Sequence, residues 1–309
     1  MSFSTRMWSE RARVASYRPG GGTRRSPVII GRATTESILP QVERAWHALQ
    51  VRLPFLRAAI DRRRAGEYEA AVARALDDTA ARTALVAGST LPEGWGAGRS
   101  ERLVEFPWAV AKLAEREAGL TLDAGSTLNH PYVLDQVLAL VDALHVVTLA
   151  PEKRSFPERG ISYVYADLRD LPVRSSLYDT VVCISTLEHV GMDVSGYKAS
   201  VAREADPQRA AVLAAGELRR VVKPTGRILL SVPFGRPDNL GWLRQFDPPA
   251  LRGLIDGFGP AEVDKKIYRH TEHGWQLSSE EAAADCASQP YWAQAVACVE
   301  IRPREVRAA

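Results

Sequence analysis

The 309-residue chain has few cysteines and no long apolar run. Its three cysteines, Cys183, Cys286 and Cys298, lie far apart in sequence. An odd number at such spacing forms neither a disulfide framework nor a CxxC metal site, and it favours a reducing compartment, the cytoplasm. No apolar segment approaches the ~18 residues that cross a membrane, and the N-terminus lacks the apolar centre of a secretory signal. A membrane partner is therefore not expected.

Lysine is also scarce, with six residues against 34 arginines, and many of the arginines are gathered at one end. Residues 1–65 carry 13 arginines and four acidic residues in a chain whose net charge is only +3. Such a segment can meet an anionic partner such as RNA, and that binding would depend on salt. No aromatic stacking motif is interleaved with the arginines, so a nucleic-acid partner is disfavoured and a solvated basic segment is the simpler interpretation.

Changes of pattern divide the chain into three predicted regions. These are a flexible basic lead, a helical N-terminal region with its linker, and a larger domain, over residues 1–30, 31–102 and 103–309. Apolar residues recur every three or four positions between 36 and 87, which predicts helices with a break near Pro54. Four glycines over 88–98 predict the linker. A homodimer through the N-terminal helices remains open.

From residue 105 onward, short apolar segments alternate with helical ones, which is typical of βαβ units around a buried parallel sheet. Helices are predicted at 108–117, 131–144 and 210–222. Strands are predicted at 120–123, 145–149, 162–165, 180–185 and 227–232, with an antiparallel pair at 262–268 and 293–301. The prediction is an α/β fold with a doubly wound, Rossmann-like, mostly parallel seven-stranded sheet and an N-terminal helical extension.

Four segments place polar residues near the ends of these strands, where doubly wound sheets bind their ligands. They read LDAGSTLN from residue 122, ADLRDLP from 166, YDTVVCISTLEHVG from 178 and ELRRVVKPTGRILL from 217. In this order and spacing they resemble the class I S-adenosylmethionine-dependent methyltransferases, over about residues 103–301. EFPW, from residue 105, is similar to the helix that leads into the fold in some small-molecule members.

The resemblance implies S-adenosylmethionine as the cofactor and assigns its contacts. The implied cofactor-binding residues are Trp108, Asp123, Gly125, Ser126, Thr127, Leu149, Asp167, Leu168 and Ser185. Asp123 and Gly125 would lie against the methionine part, and Asp167 and Leu168 would hold the adenine. Ser185 would face both the cofactor and the acceptor.

Two positions depart from the family pattern. Leu149 stands at the end of the second strand, where the family has an acid for the ribose hydroxyls. Ser126 and Thr127 replace part of the flexible glycine loop. Glu152 and Thr148 are alternative ribose contacts. These departures leave open a non-catalytic protein of the methyltransferase fold that binds or scaffolds.

Methyl transfer is an in-line displacement that needs no side-chain nucleophile, but a general base helps when the acceptor is a hydroxyl. His189 follows the fourth strand and is the predicted base, because imidazole titrates near neutrality. Glu188 is predicted to orient it or to form a hydrogen bond with the substrate or the cofactor. The alternative is that both residues cap the next helix and hold the loop after the fourth strand in place. Hard carboxylate ligands are too few near this strand for a metal site, so no metal is expected.

The acceptor class is narrowed by two missing motifs. After the fourth strand the chain reads STLE, where enzymes that methylate exocyclic base amines have Asn/Asp-Pro-Pro-aromatic. No cysteine follows a proline, as the nucleophile of pyrimidine carbon methylation does. We therefore expect a small-molecule acceptor and O-methylation of a hydroxyl or carboxyl in a sugar or natural product. His270, His273 and Trp275 are predicted to bind the substrate.

Overall fold

The computed structural model describes residues 54–195, 203–289 and 292–304. The predicted lead over 1–30 and the predicted helical residues 36–53 lie outside this part of the chain. The chain divides into two compact units, residues 1–70 and 71–309, and the site described below belongs to the second. Within the described residues, no helix is both long enough and apolar enough to cross a bilayer.

Among the described residues, three helices precede the sheet. Helix α1 is described over Pro54–Asp77. Helix α2, Thr79–Ala87, is capped by Asp78 and ends at a left-handed Gly88. Helix α3, Arg102–Ala114, starts earlier than predicted and contains the EFPW sequence.

Eight strands form the main sheet, and a short ribbon holds two more. The main strands are β1 Leu120–Ala124, β2 Ala143–Thr148, β3 Ser162–Tyr165, β4 Tyr178–Ile184, β5 Val222–Pro233, β8 Ala261–Thr271, β9 Gly274–Ser278 and β10 Ala295–Pro303. The ribbon pairs β6 Asp238–Asn239 with β7 Arg244–Gln245. The order β3-β2-β1-β4-β5-β10-β8-β9 confirms the doubly wound sheet.

The first five strands are parallel, and β10 is antiparallel to both of its neighbours, β5 and β8. The sheet has one strand more than predicted. A tight turn at residues 272–273, followed by Gly274 at φ +93°, brings the chain back along β8 and makes β9 the edge strand.

The helices described between these strands are α4 Pro131–Val137, α5 Pro207–Val221, α6 Pro248–Asp256 and α7 Glu280–Ala283. Helices α4, α5 and α6 each carry a proline in the first turn, where a proline is pre-shaped for the helix. Helix α4 is shorter than the predicted 131–144, because Ala143 and Leu144 pair with β1 instead.

The packing of the apolar core fixes a crevice at the carboxyl ends of the strands. Strand β4 is buried along nearly its whole length, and the alanine-rich face of α5 packs on the same core. The strand order reverses between β1 and β4, so the connections from their carboxyl ends leave in opposite directions. Ligands bind at this switch point in doubly wound sheets. The candidate site therefore lies at the carboxyl ends of β1, β4 and their neighbours.

Candidate functional site

Asp123, at the end of β1, holds the loop that follows it. The side chain is fully buried, and its two oxygens accept hydrogen bonds from the backbone N–H groups of Thr127 (3.2 Å) and Leu128 (2.9 Å). Burial raises the pKa of Asp123 to about 7 even though these bonds oppose the shift. The carboxylate thus shapes the β1 loop, and its predicted contact with the methionine part stays a prediction.

Gly125 is the point where this loop meets the end of β4. Its φ is +118°, and a Cβ at this position would lie 2.1 Å from Thr186 Oγ1. The Thr127 hydroxyl donates to the Ile184 carbonyl at 2.8 Å, so two consecutive parts of the loop contact the β4 end. Ser126 lies between them with φ +61°, an uncommon value for a residue with a side chain. Only glycine fits at position 125.

The end of β2 carries a carboxylate three residues later than the family pattern. Leu149 is half-buried and apolar, and Glu152 is the acid that follows it in the chain. Glu152 Oε2 lies 3.5 Å from Asn129 Nδ2. Burial raises the pKa of Glu152, while hydrogen bonding with Ser126, Thr148 and Asn129 lowers it in part. This places an acid beside the β1 loop without one at position 149.

At the end of β3, Asp167 is fixed by Arg169. Asp167 Oδ1 accepts from the backbone N–H (2.9 Å) and Nε (3.0 Å) of Arg169, and Oδ2 accepts from Nη2 (2.7 Å). Burial would raise the pKa of Asp167, but the hydrogen bonds and charge of Arg169 outweigh it and lower the pKa overall. Arg169 also pairs with Glu204. Asp167 is therefore an ionised, oriented carboxylate where the adenine contact is predicted.

Two other predicted cofactor residues lie in the protein core. Trp108 is 1% exposed within α3, and Leu168 is 6% exposed and belongs to the main apolar cluster. Both side chains are buried, so their predicted contacts with the cofactor stay a prediction.

The end of β4 is joined to α3 by a carboxylate that the sequence did not single out. Glu105 is fully buried, and its Oε1 accepts hydrogen bonds from the hydroxyls of Ser185 and Ser231, both at 2.6 Å. Its Oε2 accepts from Arg102 Nη1 at 2.6 Å. Ser185, with φ +40°, thus has its hydroxyl directed at Glu105. The EFPW sequence pointed to this helix, but not to the role of its first residue.

His189 lies with Glu188 on the 3₁₀ turn Leu187–His189. The Trp242 carbonyl lies 2.8 Å from Nδ1 and can only accept, so Nδ1 carries the hydrogen and Nε2 the lone pair. The two rings stack at 5.3 Å. Burial lowers the pKa of His189 to about 4, against the effect of the Trp242 bond and with help from the charge of Arg102. This pKa lies below the neutral range predicted for the base, because the ring is largely buried.

Glu188 is 3% exposed, and its Oε2 has no hydrogen-bond partner among the described residues. Burial and the nearby carboxyl of Glu105 raise the pKa of Glu188 to about 8. Its Oε1 lies 4.0 Å from His189 Nε2. At neutral pH Glu188 is therefore mostly a neutral carboxyl group, which can donate as well as accept.

The three predicted substrate residues lie on the β8–β9 hairpin, away from this crevice. His270 Nε2 accepts from the Gly98 N–H at 3.0 Å, and the fully buried Trp275 donates its indole N–H to the Arg99 carbonyl at 3.0 Å. His273 is exposed at the turn. Strand β8 is four positions from β1, which is roughly 19 Å at the usual strand spacing. The structure does not bring these residues to the β1 loop.

A cavity of about 310 Å³ opens between the end of α1 and the loop 94–99, and it is lined by Arg74, Arg99 and Asp78 among others. It lies beside the β8–β9 hairpin rather than at the carboxyl ends of β1 to β4. Strand order is the stronger guide to a site in this fold, so we place the candidate site at those ends. In the described part of the chain, no group of three or more His, Cys, Asp or Glu side chains is arranged to hold a metal.

The chain was compared with known proteins. Residues 124–230 match the family model of a methyltransferase domain. No curated protein sequence matches the chain. The 1,6-didemethyltoxoflavin-N1-methyltransferase of Burkholderia thailandensis has a similar solved structure, with 15% identity, coverage of 91% of this chain and 95% of that chain, and a TM-score of 0.43.

The N-methyltransferase NodS of Bradyrhizobium japonicum shares 10% identity, with 64% of this chain and 93% of that chain covered and a TM-score of 0.40. The family assignment rests on the match to the domain model, which begins in the last residue of β1 and ends within β5. Residues 124–230 are a methyltransferase domain, and the predicted class I S-adenosylmethionine-dependent methyltransferase family is confirmed for this part of the chain.

Proposed function

We propose that the chain binds S-adenosylmethionine across the carboxyl ends of β1 to β4 and transfers its methyl group to a small-molecule acceptor. The observation that carries the proposal is the succession of groups along four adjacent strand ends. Gly125 follows β1, Glu152 follows β2, Asp167 follows β3 and Ser185 follows β4. The strand order reverses between β1 and β4, and ligands of doubly wound sheets bind at that switch point.

The residues present fit the cofactor when Glu152 replaces the missing acid. A carboxylate beside the end of β2 can accept hydrogen bonds from both ribose hydroxyls. Asp167, fixed and ionised by Arg169, offers acceptor oxygens to an exocyclic adenine amine. When bound, S-adenosylmethionine supplies an electrophilic methyl group on a sulfonium centre. The chain itself must hold the acceptor in line and keep water away.

The proposed acceptor atom is a hydroxyl oxygen, and the groups facing it come from the turn after β4. His189 is neutral and has its lone pair on Nε2, so a hydroxyl can donate to that atom. A pKa near 4 makes His189 a weak base, so its main contribution is to orient the hydroxyl and take its proton late in the transfer. Glu188, mostly neutral, can donate to or accept from the same acceptor.

Two observations favour the second candidate function, a non-catalytic protein of this fold that binds or scaffolds. The Thr186 side chain occupies the space directly in front of Gly125. Both oxygens of Asp123 are already bonded to the loop itself. A chain that binds the cofactor product but transfers no methyl group would support this alternative.

Calorimetry with S-adenosylhomocysteine tests the binding site. We expect micromolar binding by the wild type and a loss of roughly tenfold or more in Glu152→Gln, because the amide offers one acceptor oxygen instead of two. Glu158→Gln, at an exposed acid on the nearby 3₁₀ turn Pro157–Arg159, is the matched control and should bind as the wild type does. No heat with the wild type would reject the proposed cofactor site.

Transfer is tested with S-adenosylmethionine labelled at the methyl group and a panel of hydroxylated small molecules. Label in an extracted product supports the enzyme. Binding of S-adenosylhomocysteine without label in any product would favour the scaffolding function instead.

The three cysteines are buried and free, which accords with action in a reducing compartment such as the cytoplasm.

A further inference from the structure

Arg244 is a buried cation beside the turn after β4. It lies on β7, is 8% exposed, and stacks its guanidinium on the Phe246 ring at 4.5 Å. Nη1 donates to Gln208 Oε1 at 3.0 Å. Burial lowers the pKa of Arg244 to about 10, which still leaves the group charged at neutral pH. The side chain is therefore fixed in place by one hydrogen bond and one ring.

The other two nitrogens of Arg244, Nε and Nη2, are buried and have no hydrogen-bond partner in the described part of the chain. These two atoms form one edge of the planar guanidinium. That edge binds a carboxylate through two parallel N–H···O bonds. A buried charge without a partner is strongly unfavourable, so the pattern indicates a missing planar anion at this edge.

Among the described residues, no carboxyl group forms an ion pair with Arg244. Glu188 and Asp206 are the two carboxyl groups that influence its pKa. Asp206 accepts instead from the Arg209 N–H at the start of α5. Glu188 has its own unpartnered oxygen, Oε2. Arg244 and Glu188 thus each have buried polar atoms without a hydrogen-bond partner in the described part of the chain.

Arg244 lies next to the proposed transfer site. Strand β7 packs against the turn Leu187–His189, and Trp242, two residues before Arg244, stacks on His189. The Asp193 N–H also donates to the Gly241 carbonyl at 3.0 Å, which holds this segment over the same turn. An anion on the Arg244 edge would therefore belong to a molecule that reaches Glu188 and His189.

We propose that Arg244 binds a carboxylate of the methyl acceptor, with its Nε–H and Nη2–H each donating to one oxygen. The acceptor is thus a small carboxylic acid that is methylated at another atom, a hydroxyl that faces Glu188 and His189. The carboxylate itself is not the methylated group, because two charge-assisted hydrogen bonds withdraw electron density from its oxygens. This proposal rests on the proposed function and names the acceptor class.

The test uses benzoate as the probe and benzamide as the uncharged control. Binding is measured by the melting temperature of the protein and by calorimetry, at neutral pH and constant ionic strength. We expect benzoate, but not benzamide, to raise the melting temperature of the wild type. In Arg244→Met the benzoate affinity should fall roughly tenfold or more, since both bonds are lost. Arg236→Met, at an exposed arginine of the same segment, is the matched control and should bind benzoate normally.

A second readout separates a ligand-binding arginine from a structural one. Methionine keeps the contact with Phe246 and removes an unpaired buried charge, so unliganded Arg244→Met should melt at the wild-type temperature or above it. Arg244→Lys retains the charge but cannot donate two parallel hydrogen bonds to a carboxylate, so it should also lose benzoate affinity. Benzoate shifts of equal size in wild type and both variants would overturn the proposal, as would no shift in the wild type.

Calorimetry with S-adenosylhomocysteine on the same proteins distinguishes the two proposals. The cofactor product should bind Arg244→Met as it binds the wild type, because Arg244 lies outside the cofactor contacts proposed above. A wild type that binds benzoate through Arg244 but not S-adenosylhomocysteine would reject the proposed function and keep the carboxylate site. A wild type that binds S-adenosylhomocysteine but not benzoate would do the reverse.

Discussion

Gly125 carries two separate constraints, a backbone constraint and a steric one. Its φ of +118° is unfavourable for any side chain, and Thr186 fills the space where a Cβ would lie. We predict that Gly125→Ala lowers the free energy of unfolding by about 3 kcal/mol or more. Urea denaturation of the purified variant measures it.

Two companion variants separate the constraints. Gly160→Ala also places a side chain at positive φ, +78°, but in open space, so it should lose only about 1 kcal/mol. Thr186→Gly combined with Gly125→Ala should recover the steric part of the loss. Equal losses at positions 125 and 160 would show that Thr186 moves aside without cost.

Glu188 makes stability depend on pH in a definite direction. Burial raises the pKa of its carboxyl to about 8. In the pH window between the usual pKa of a glutamate and pH 8, the folded chain therefore keeps a proton that the unfolded chain releases. The contribution of Glu188 to stability is therefore full at low pH and is lost as pH rises through this window.

Glu188→Gln has no proton to lose and should lack this slope. We predict that its stability relative to the wild type improves by on the order of 3 kcal/mol from pH 5 to pH 8. Denaturant unfolding at several pH values measures the difference, and the same change at exposed Glu93 is the control. A constant difference between variant and wild type would contradict the buried, protonated carboxyl.

At the scale of elements, Glu105 joins α3 to the carboxyl ends of β4 and β5. It accepts from residues 80 and 126 positions away, Ser185 and Ser231, and from Arg102 within its own helix. Glu105→Ala would leave two hydroxyls and a guanidinium without their acceptor. We predict a loss of about 3 kcal/mol or more in the free energy of unfolding.

A double-mutant cycle checks this prediction. Because Ser231 and Glu105 contact each other, the losses in Glu105→Ala and Ser231→Ala should add to more than the loss in the double variant. Glu117→Ala, at an exposed glutamate just after α3, should change stability little. Additive losses would mean that the hydrogen bond between Ser231 and Glu105 contributes nothing measurable.

The elements that the sequence predicts well are those with local signals. Strand β4 is apolar and buried along its length, so it appears as a continuous run, and the prolines mark the starts of α4, α5 and α6. Edge strand β9 lacks such a run, because two of its five residues are exposed. Helix α4 was predicted too long because sheet pairing overrides helical periodicity after residue 142.

The residues of the candidate site also fall into those with a local sequence signal and those without one. Gly125, Asp167 and Ser185 follow strand ends, and a motif in local sequence is enough to single them out. The roles of Arg244 and Glu105 have no local signal, since Gln208 lies 36 residues from Arg244 and Ser185 lies 80 residues from Glu105, each on another element. The low pKa of His189 also follows from tertiary structure, chiefly from burial and in part from the charge of Arg102. Function at these three positions depends on packing that a local pattern does not encode.

For the whole molecule, the division of the chain yields a truncation prediction. Residues 71–309 form a compact unit, and the composition of 1–30, with Pro19 before three glycines, disfavours helix and strand. We predict that deletion of residues 1–30 leaves the melting temperature of the protein within a few degrees of its original value. Calorimetric melting of both chains measures it, and a large drop would place the basic segment among the parts that stabilise the fold.

Strand β10 lies between β5 and β8, although it follows both in the chain. During synthesis, β5 and the β8–β9 hairpin therefore emerge before the strand that joins them, and each waits with an unpaired edge. Unpaired edges are templates for pairing with other chains. Strand β10 is thus the last strand to pair, and its pairing joins two aggregation-prone parts of the sheet into one continuous sheet.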